Sequence, residues 1–223
     1  MSNTGLIRTE DGSHTLFDAK VGEHYHSIHG AIRESVHVFV SAGFNWIASR
    51  LDKLNILEIG FGTGLNCLLS LAESVKLNKK VSYTSLEPFP ITADLYTLLN
   101  YCEFEGLSDY NNEFLKMHGK NEGVSWLSPG FELNRLCSTF EVTVLEPACF
   151  DLVYFDAFSP EVQPGLWLPE TFIKIRRSMK QEGVLVTYSA KGSVRRALQQ
   201  SGFRTERLAG PPGKREMLRA IAV

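Results

Sequence analysis

The 223-residue sequence contains no apolar run near the roughly 20 residues that a helix needs to cross a bilayer; its longest, such as VHVFV and CLLSLA, are far shorter. No membrane-spanning helix is expected. There is no C-x-x-C pair: Cys67, Cys102, Cys137 and Cys149 lie far apart, without a histidine at ligand spacing. Neither a zinc site nor a redox motif is indicated. An excess of one charge is missing too, because 23 basic and 25 acidic residues leave a formal net charge of −2. That predicts no global attraction to nucleic acid, although a local patch could supply it. The opening MSNTGLIRTEDGSHT lacks the basic, apolar, small-residue order of a secretory signal, so a cytoplasmic location is expected. Internal repeats and low-complexity tracts are absent.

What is present is a balance of 43% hydrophobic and 22% charged residues in a chain of ordinary domain size, enough to bury a core without disulfides or metal. Short β-like runs alternate with helical periodicity. LNILEIG, VSYTSLE, FELNRLC, FDLVYFD and EGVLVTYS read as strands, and LNCLLSLAESVKL, LPETFIKIRRSMK and SVRRALQQSG as helices. A further helix is expected beyond Pro90 in PFPITADLYTLLNYCEF, and residues 106 to 130, rich in Gly, Asn and Ser, read as an irregular insertion. FRTERLA and REMLRAIAV could pair antiparallel. The expected fold is α/β, with a mostly parallel twisted sheet over 51–223 and an N-terminal extension, residues 1 to about 50, packed on it. In such sheets ligands bind beyond the carboxyl ends of the strands at the topological switch point. That directs attention to Gly60 to Asn66, Glu87 and Asp156.

Five of the six histidines, His14, His24, His26, His29 and His37, fall in the N-terminal extension. The spacing in GEHYHSIHG fits no standard zinc pattern, and no carboxylate or cysteine accompanies it at ligand spacing. Structural or substrate-facing hydrogen bonding is expected there, and no metal.

LEIGFGTGLN places Gly60, Gly62 and Gly64 between a strand and a helix. One glycine would suit a tight turn, whereas three at alternate positions suggest that the missing side chains let a polar ligand approach backbone amides and a helix N-terminus. A Walker loop would need a lysine that is absent, and a dinucleotide fingerprint would put its third glycine at Leu65. Glu58 completes E-x-G-x-G-x-G, which resembles motif I of class I S-adenosylmethionine-dependent methyltransferases. A carboxylate beside the loop suits a ligand bearing an ammonium and a sulfonium. Glu87, 23 residues after Gly64 and followed by Pro88, reads as an acceptor for ribose hydroxyls or else as a solvated loop acid. In FDAFSPEVQPGLW, Asp156 could orient an amine and take its proton while Phe158 and Trp167 shield the site; the alternative is a simple loop cap. GPPGKREMLRA brings Lys214 and Arg215 behind Arg195, Arg196, Arg204 and Arg207, either a phosphate-contacting patch or a solvated face.

Taken together, LEIGFGTGLN, LEPFP, FDLVYFDAFSP, GVLVTYSAKGSVRRALQQSGF, GKREML and the leading DGSHTLFDAKVGEHYHSIHGAIRESVHVFV resemble the methyltransferase domain of the bifunctional tRNA wobble-uridine modification enzyme MnmC and its stand-alone relatives. The resemblance implies methylation of the exocyclic amine of 5-aminomethyl-2-thiouridine at the wobble position of tRNA. S-adenosyl-L-methionine would be the cofactor and tRNA the partner. It puts Glu58, Gly60, Phe61, Gly62, Thr63, Gly64 and Asn66 at the cofactor loop, Glu87 at the ribose, and Asp156 with Phe158 at the acceptor. Tyr25, Trp167, Lys214 and Arg215 are the candidates for substrate contact. There are two departures from the family. No FAD-dependent oxidase domain fits in 223 residues, so a separate oxidase or an upstream wobble-uridine enzyme is expected to supply the amine. The loop LCSTF lacks the Asp that often meets the adenine amino group, and Ser138 is its expected substitute. A spermidine-synthase-like aminopropyltransferase and a non-catalytic tRNA-binding module stand as alternatives.

Overall fold

The computed structural model describes residues 4–223; the first three residues of the expected N-terminal extension lie outside them. The chain opens with a three-stranded antiparallel sheet of β1 (Thr4–Arg8), β2 (His14–Asp18) and β3 (Glu23–His24). A continuous helical rod follows. It is α-helical in α1 (Ala31–Ser35), π-helical over Val36–Phe44 and α-helical again in α2 (Asn45–Ala48). Val38, Phe39, Val40 and Phe44 are buried on it, and the Phe39 ring lies 5.2 Å from that of Tyr154.

The core then alternates: β4 (Lys53–Ile59), α3 (Leu65–Lys76), β5 (Lys80–Leu86), α4 (Ala93–Tyr96), α5 (Asn111–His118), β6 (Gly123–Ser128), β7 (Phe131–Leu136), β8 (Phe150–Phe155), α6 (Pro169–Ser178), β9 (Met179–Thr187), α7 (Gly192–Gln200), β10 (Phe203–Ala209) and β11 (Glu216–Ala222). These strands form one eight-stranded sheet in the order β10-β11-β9-β8-β4-β5-β7-β6. The five central strands, β9 to β7 in that order, run parallel, and the edges add antiparallel pairs, among them β10 with β11. Every residue of β8 is buried, as expected of a strand covered on both faces. From β4 the chain moves outward to β5 and β7, then returns to β8 on the other side of β4. The switch point lies between β4 and β8.

Two expectations change. Residues 106 to 130 are ordered: α5 buries Phe114, Met117 and His118 at helical spacing, and β6 pairs antiparallel with β7. The polar composition hid that short apolar face. The helix expected beyond Pro90 shrinks to the single turn of α4, none of whose residues is buried. Beyond it Asn100 is held by the N-terminal segment instead: its side chain accepts a bond from His14 N at 2.8 Å and donates to Gly12 O at 3.0 Å.

One face of the sheet is completed by the N-terminal residues themselves: Leu16, Ala31 and Val38 share a buried cluster with Leu54, Leu152 and Tyr154. Gly43 makes the closest approach. A Cβ there would lie 3.0 Å from Val186 and 3.3 Å from both Leu152 and Tyr154. Overpacking of such a contact costs about 1–3 kcal/mol. Gly43→Val should therefore lower unfolding stability by that amount in urea titration, and an unchanged midpoint would show that the rod does not pack as described.

Candidate active site

Parallel pairing sets Ile59 beside Phe155, so the chain leaves β4 and β8 at the same level. Asp156 N donates to Ile59 O at 3.0 Å, and Gly60 N donates to Leu86 O at 3.0 Å. The turn after β4 thus lies between the ends of β5 and β8. All three of its glycines have positive φ: +91° at Gly60, +51° at Gly62 and +77° at Gly64, a region that L side chains rarely occupy. Each missing side chain also leaves room for a protein atom. A Cβ at Gly60 would meet Asp156 O at 2.6 Å, one at Gly62 the Tyr25 ring at 2.9 Å, and one at Gly64 His118 Nε2 at 2.9 Å. Packing and backbone conformation therefore favour glycine at these positions in addition to any room they leave for a ligand.

In front of the turn is a cavity of about 1020 Å³, lined by Gly60, Phe61, Gly62, Glu87, Ser138, Asp156, Phe158, Tyr25 and Lys214. These nine sequence-read candidates are brought together. Six others do not line it. Thr63 and Gly64, within the turn, and Glu58 and Asn66, on either side of it in the chain, do not reach the cavity; Glu58 and Thr63 are 0% exposed. Strand alternation explains Glu58, which points opposite to Ile59 and beneath α3. Trp167 is buried on Phe155, and its Nε1 donates to Phe158 O at 2.8 Å, so it supports the acceptor loop rather than facing a substrate. Arg215 is exposed outside the cavity, whereas Lys214, one residue earlier, turns inward. The upstream arginines are partly neutralised, because Arg204 pairs with Glu206 and Arg207 with Glu216.

Glu58 and Asp156 share one partner. Asn66 Nδ2 donates to Glu58 Oε1 at 3.2 Å and to Asp156 Oδ2 at 2.8 Å, and Ser85 Oγ donates to Glu58 Oε2 at 2.9 Å. Burial pushes Glu58 up to about 8. Burial, then the nearby Glu34, pushes Asp156 up to about 7. Two acids bridged by one amide titrate as a pair, and burial biases both toward the protonated form. Glu58 is fully buried, and of the two Asp156 is the one that reaches the cavity.

Glu87 accepts bonds from Gly62 N at 3.0 Å and Phe89 N at 2.9 Å, which fixes its carboxylate against the turn and leaves lone pairs facing the cavity. Tyr25 and Phe158 meet edge to face at 5.3 Å and 72°. Burial, then Glu87, pushes the Tyr25 hydroxyl up to about 12. Among the cavity residues that escaped the sequence reading, three shape the acceptor side. Glu34 accepts from Lys214 Nζ at 2.6 Å; Tyr188 donates to Ala157 O at 2.9 Å and lies 4.1 Å beneath the Lys214 ammonium; Glu23 accepts from Ser159 N at 2.9 Å. Tyr188 could have been found because it follows a core strand; Glu34 and Glu23 carry no comparable signal. Among the described residues no group of three or more His, Cys, Asp or Glu could hold a metal, and no helix is long and apolar enough to cross a membrane.

A parallel sheet with a glycine turn after one central strand and acids ending its two neighbours defines a nucleoside-type site at a switch point. The donor set narrows it further. Of the two lysines that line the cavity, Lys20 and Lys214, the second is already paired with Glu34, which leaves a pyrophosphate less compensation. Acceptors for hydroxyls at Glu87 and aromatic faces near Asp156 suit a sulfonium nucleoside.

Comparison with known proteins agrees. Residues 107–222 match the family model described as S-adenosyl-L-methionine-dependent methyltransferase; the glycine turn and Glu87 precede that span. The protein from Idiomarina loihiensis named tRNA 5-methylaminomethyl-2-thiouridine biosynthesis bifunctional protein MnmC is 29% identical over 97% of this chain and 38% of its own length. Its counterpart in Paracidovorax citrulli is 31% identical over 92% of this chain and 34% of its own length. The chain thus spans roughly a third of these curated relatives. The crystal structure of MNMC2 from Aquifex aeolicus superposes with a TM-score of 0.82 at 26% identity, covering 99% of this chain and 70% of that one. Spermidine synthase from Thermotoga maritima, with a TM-score of 0.54 and 12% identity over 98% of this chain and 71% of that one, shares the fold alone. The chain belongs to the S-adenosyl-L-methionine-dependent methyltransferase family, as an MnmC-like methyltransferase domain with the class I Rossmann-like fold.

Two outcomes follow. The folded chain holds a proton on Glu58 that the unfolded chain releases above about pH 4.5, so this stabilisation is complete below that pH and fades as pH rises to about 8. The melting temperature of Glu58→Gln relative to the parent should therefore climb across that window; a constant difference would mean that Glu58 is ionised. Gly62→Val, forced against Tyr25, should lose S-adenosylmethionine binding in calorimetry, and retained affinity would remove the turn from the site.

Proposed function

We propose that the chain methylates the exocyclic amine of 5-aminomethyl-2-thiouridine at the wobble position of tRNA, giving 5-methylaminomethyl-2-thiouridine. The observation that carries this reading is the half-buried Asp156 carboxyl at the mouth of the glycine turn, in a cavity it shares with Tyr25 and Phe158. The names of the relatives, which concern biosynthesis of that nucleoside, support the choice of substrate.

When bound, S-adenosylmethionine supplies a methyl group activated by a positively charged sulfur; Gly60, Phe61 and Gly62 would cradle it and Glu87 would accept its ribose hydroxyls. Asp156 does the rest. Asn66 occupies Oδ2, leaving Oδ1 free to accept an N–H of the incoming amine and point its lone pair at the methyl group. As the new N–C bond forms and the S–C bond breaks, the amine's surplus proton passes to Asp156 and from there to solvent. Tyr25 and Phe158 exclude water and offer aromatic faces to the cation. Ser138 lies at the cavity wall, where it would face the adenine end. Lys214 and Tyr188 fix the acceptor side, and a tRNA loop entering past them would meet Arg215 outside. A separate FAD-dependent oxidase or another upstream enzyme in the cytoplasm would provide the primary amine.

Incubation with tRNA from cells lacking this methylation, followed by nucleoside mass analysis, should show the aminomethyl nucleoside gaining one methylene. No mass change would overturn the substrate assignment. Because Asp156 must be ionised to take the proton and is held at about 7, kcat/KM should rise through about pH 7. Asp156→Asn should lose that limb and about 10²–10⁴-fold of the rate while binding the cofactor normally. A variant as active as the parent would remove Asp156 from the mechanism.

A further inference from the structure

The two non-glycine residues inside the turn, Phe61 and Thr63, alternate with glycines, and glycine gives a backbone little resistance to leaving its bound shape. Both are held from behind the turn. The Phe61 ring lies under the Arg135 guanidinium at 4.3 Å and against the His118 ring at 5.4 Å. Thr63 is bonded by three residues of distant segments. Its Oγ1 lies 2.6 Å from His26 Nε2 and accepts from Tyr101 OH at 3.0 Å, and its carbonyl lies 3.1 Å from His118 Nε2. Thr63 and Tyr101 are fully buried, His118 nearly so, and His26 reaches the cavity wall. A carbonyl can only accept, so His118 carries its proton on Nε2 to donate to the Thr63 carbonyl, while the Thr63 hydroxyl, which accepts from Tyr101, has a donor and a second lone pair with which to meet His26 Nε2. His118 is itself stacked on Tyr96 at 4.6 Å and 13°.

We propose that His118, Tyr101 and His26 are positioning residues that grip Thr63 and so hold the glycine turn in its cofactor-receiving shape before the cofactor arrives. Thr63 is on this account an internal anchor rather than a cofactor contact. The grip comes from the N-terminal segment and from residues 101–118 in the long connection between β5 and β6. It gives that connection a task. His26 extends the grip to the acceptor side, because its neighbour Tyr25 covers Gly62 and meets Phe158.

The proposal rests on the cofactor assignment, so binding of S-adenosylmethionine to the parent chain is measured first; a parent that takes up none overturns the assignment and the proposal with it. Given parent binding, Tyr101→Phe and His118→Leu should each weaken cofactor binding about five- to tenfold by calorimetry, the effect of one lost buried bond. The rate at saturating cofactor should stay near that of the parent. His118→Gln, which keeps a donor at the same reach, should restore affinity. Should His118→Leu fail to fold, Tyr101→Phe, which removes a single oxygen, carries the test, with Thr63→Ser against Thr63→Val as its counterpart. Parent-like affinity in Tyr101→Phe and His118→Leu together with a lowered melting temperature of the cofactor-free chain would reduce these residues to ordinary packing. Equal loss in His118→Gln and His118→Leu would overturn the bond to the Thr63 carbonyl.

Discussion

Gly60 has no side chain because the main-chain carbonyl of Asp156 occupies the space one would need, at 2.6 Å from the Cβ position. That contact depends on the register of β4 with β8, and everything functional in the molecule depends on it. Slipping the pair by one residue would turn Asp156 away and place Ile59 or Phe61 against the loop. The neighbouring strands reinforce the register: Leu86 O receives Gly60 N, and Leu136 O receives Glu87 N. The ends of β4, β5, β7 and β8 are therefore level, and the acids that follow β5 and β8 face one cavity from two sides.

The charge arrangement follows from the same geometry. Glu58 sits on β4 beside Tyr154 of β8, two residues before Asp156, and Asn66, on the first turn of α3, is bonded to both acids. A single amide between a buried acid and a half-buried one cannot satisfy two full charges, so burial favours a proton on Glu58, pushed up to about 8, and holds Asp156, at about 7, nearer its midpoint at neutrality. A group poised there can both accept and release a proton at modest cost. Around it, Glu34 with Lys214 and Glu23 with the Ser159 amide tie the N-terminal segment to the acceptor side, so the cover over the cavity and its floor are one structure.

Much of this was legible in the sequence. The buried strands announced themselves as continuous apolar runs, and the rule that ligands gather at strand ends found Gly60, Glu87 and Asp156 before any geometry was known. Side-chain direction was the harder matter. Glu58 read as a ligand contact because it precedes the glycines, yet the two-residue period of a strand sends it beneath the turn. Trp167 read as a shield, but a large indole with one donor is as well suited to hold Phe158 from behind. The histidines of GEHYHSIHG fit no standard metal pattern on spacing, and no local signal shows that His26 meets Thr63 or that His118, 55 residues past Thr63, meets its carbonyl. Such partners are set by tertiary contact. The helix α5 was hidden for a similar reason, since its apolar face is short and its flanks are polar.

The central claim is that one cavity brings the methyl donor, held at the glycine turn, up against the carboxyl of Asp156. A crystal structure of the chain with S-adenosylhomocysteine tests it most directly. The account predicts the ribose hydroxyls on Glu87, the sulfur between Gly62 and Asp156, and a turn unchanged from its ligand-free shape. A ligand bound elsewhere, or an Asp156 carboxyl turned away from the sulfur into the interior, would contradict it.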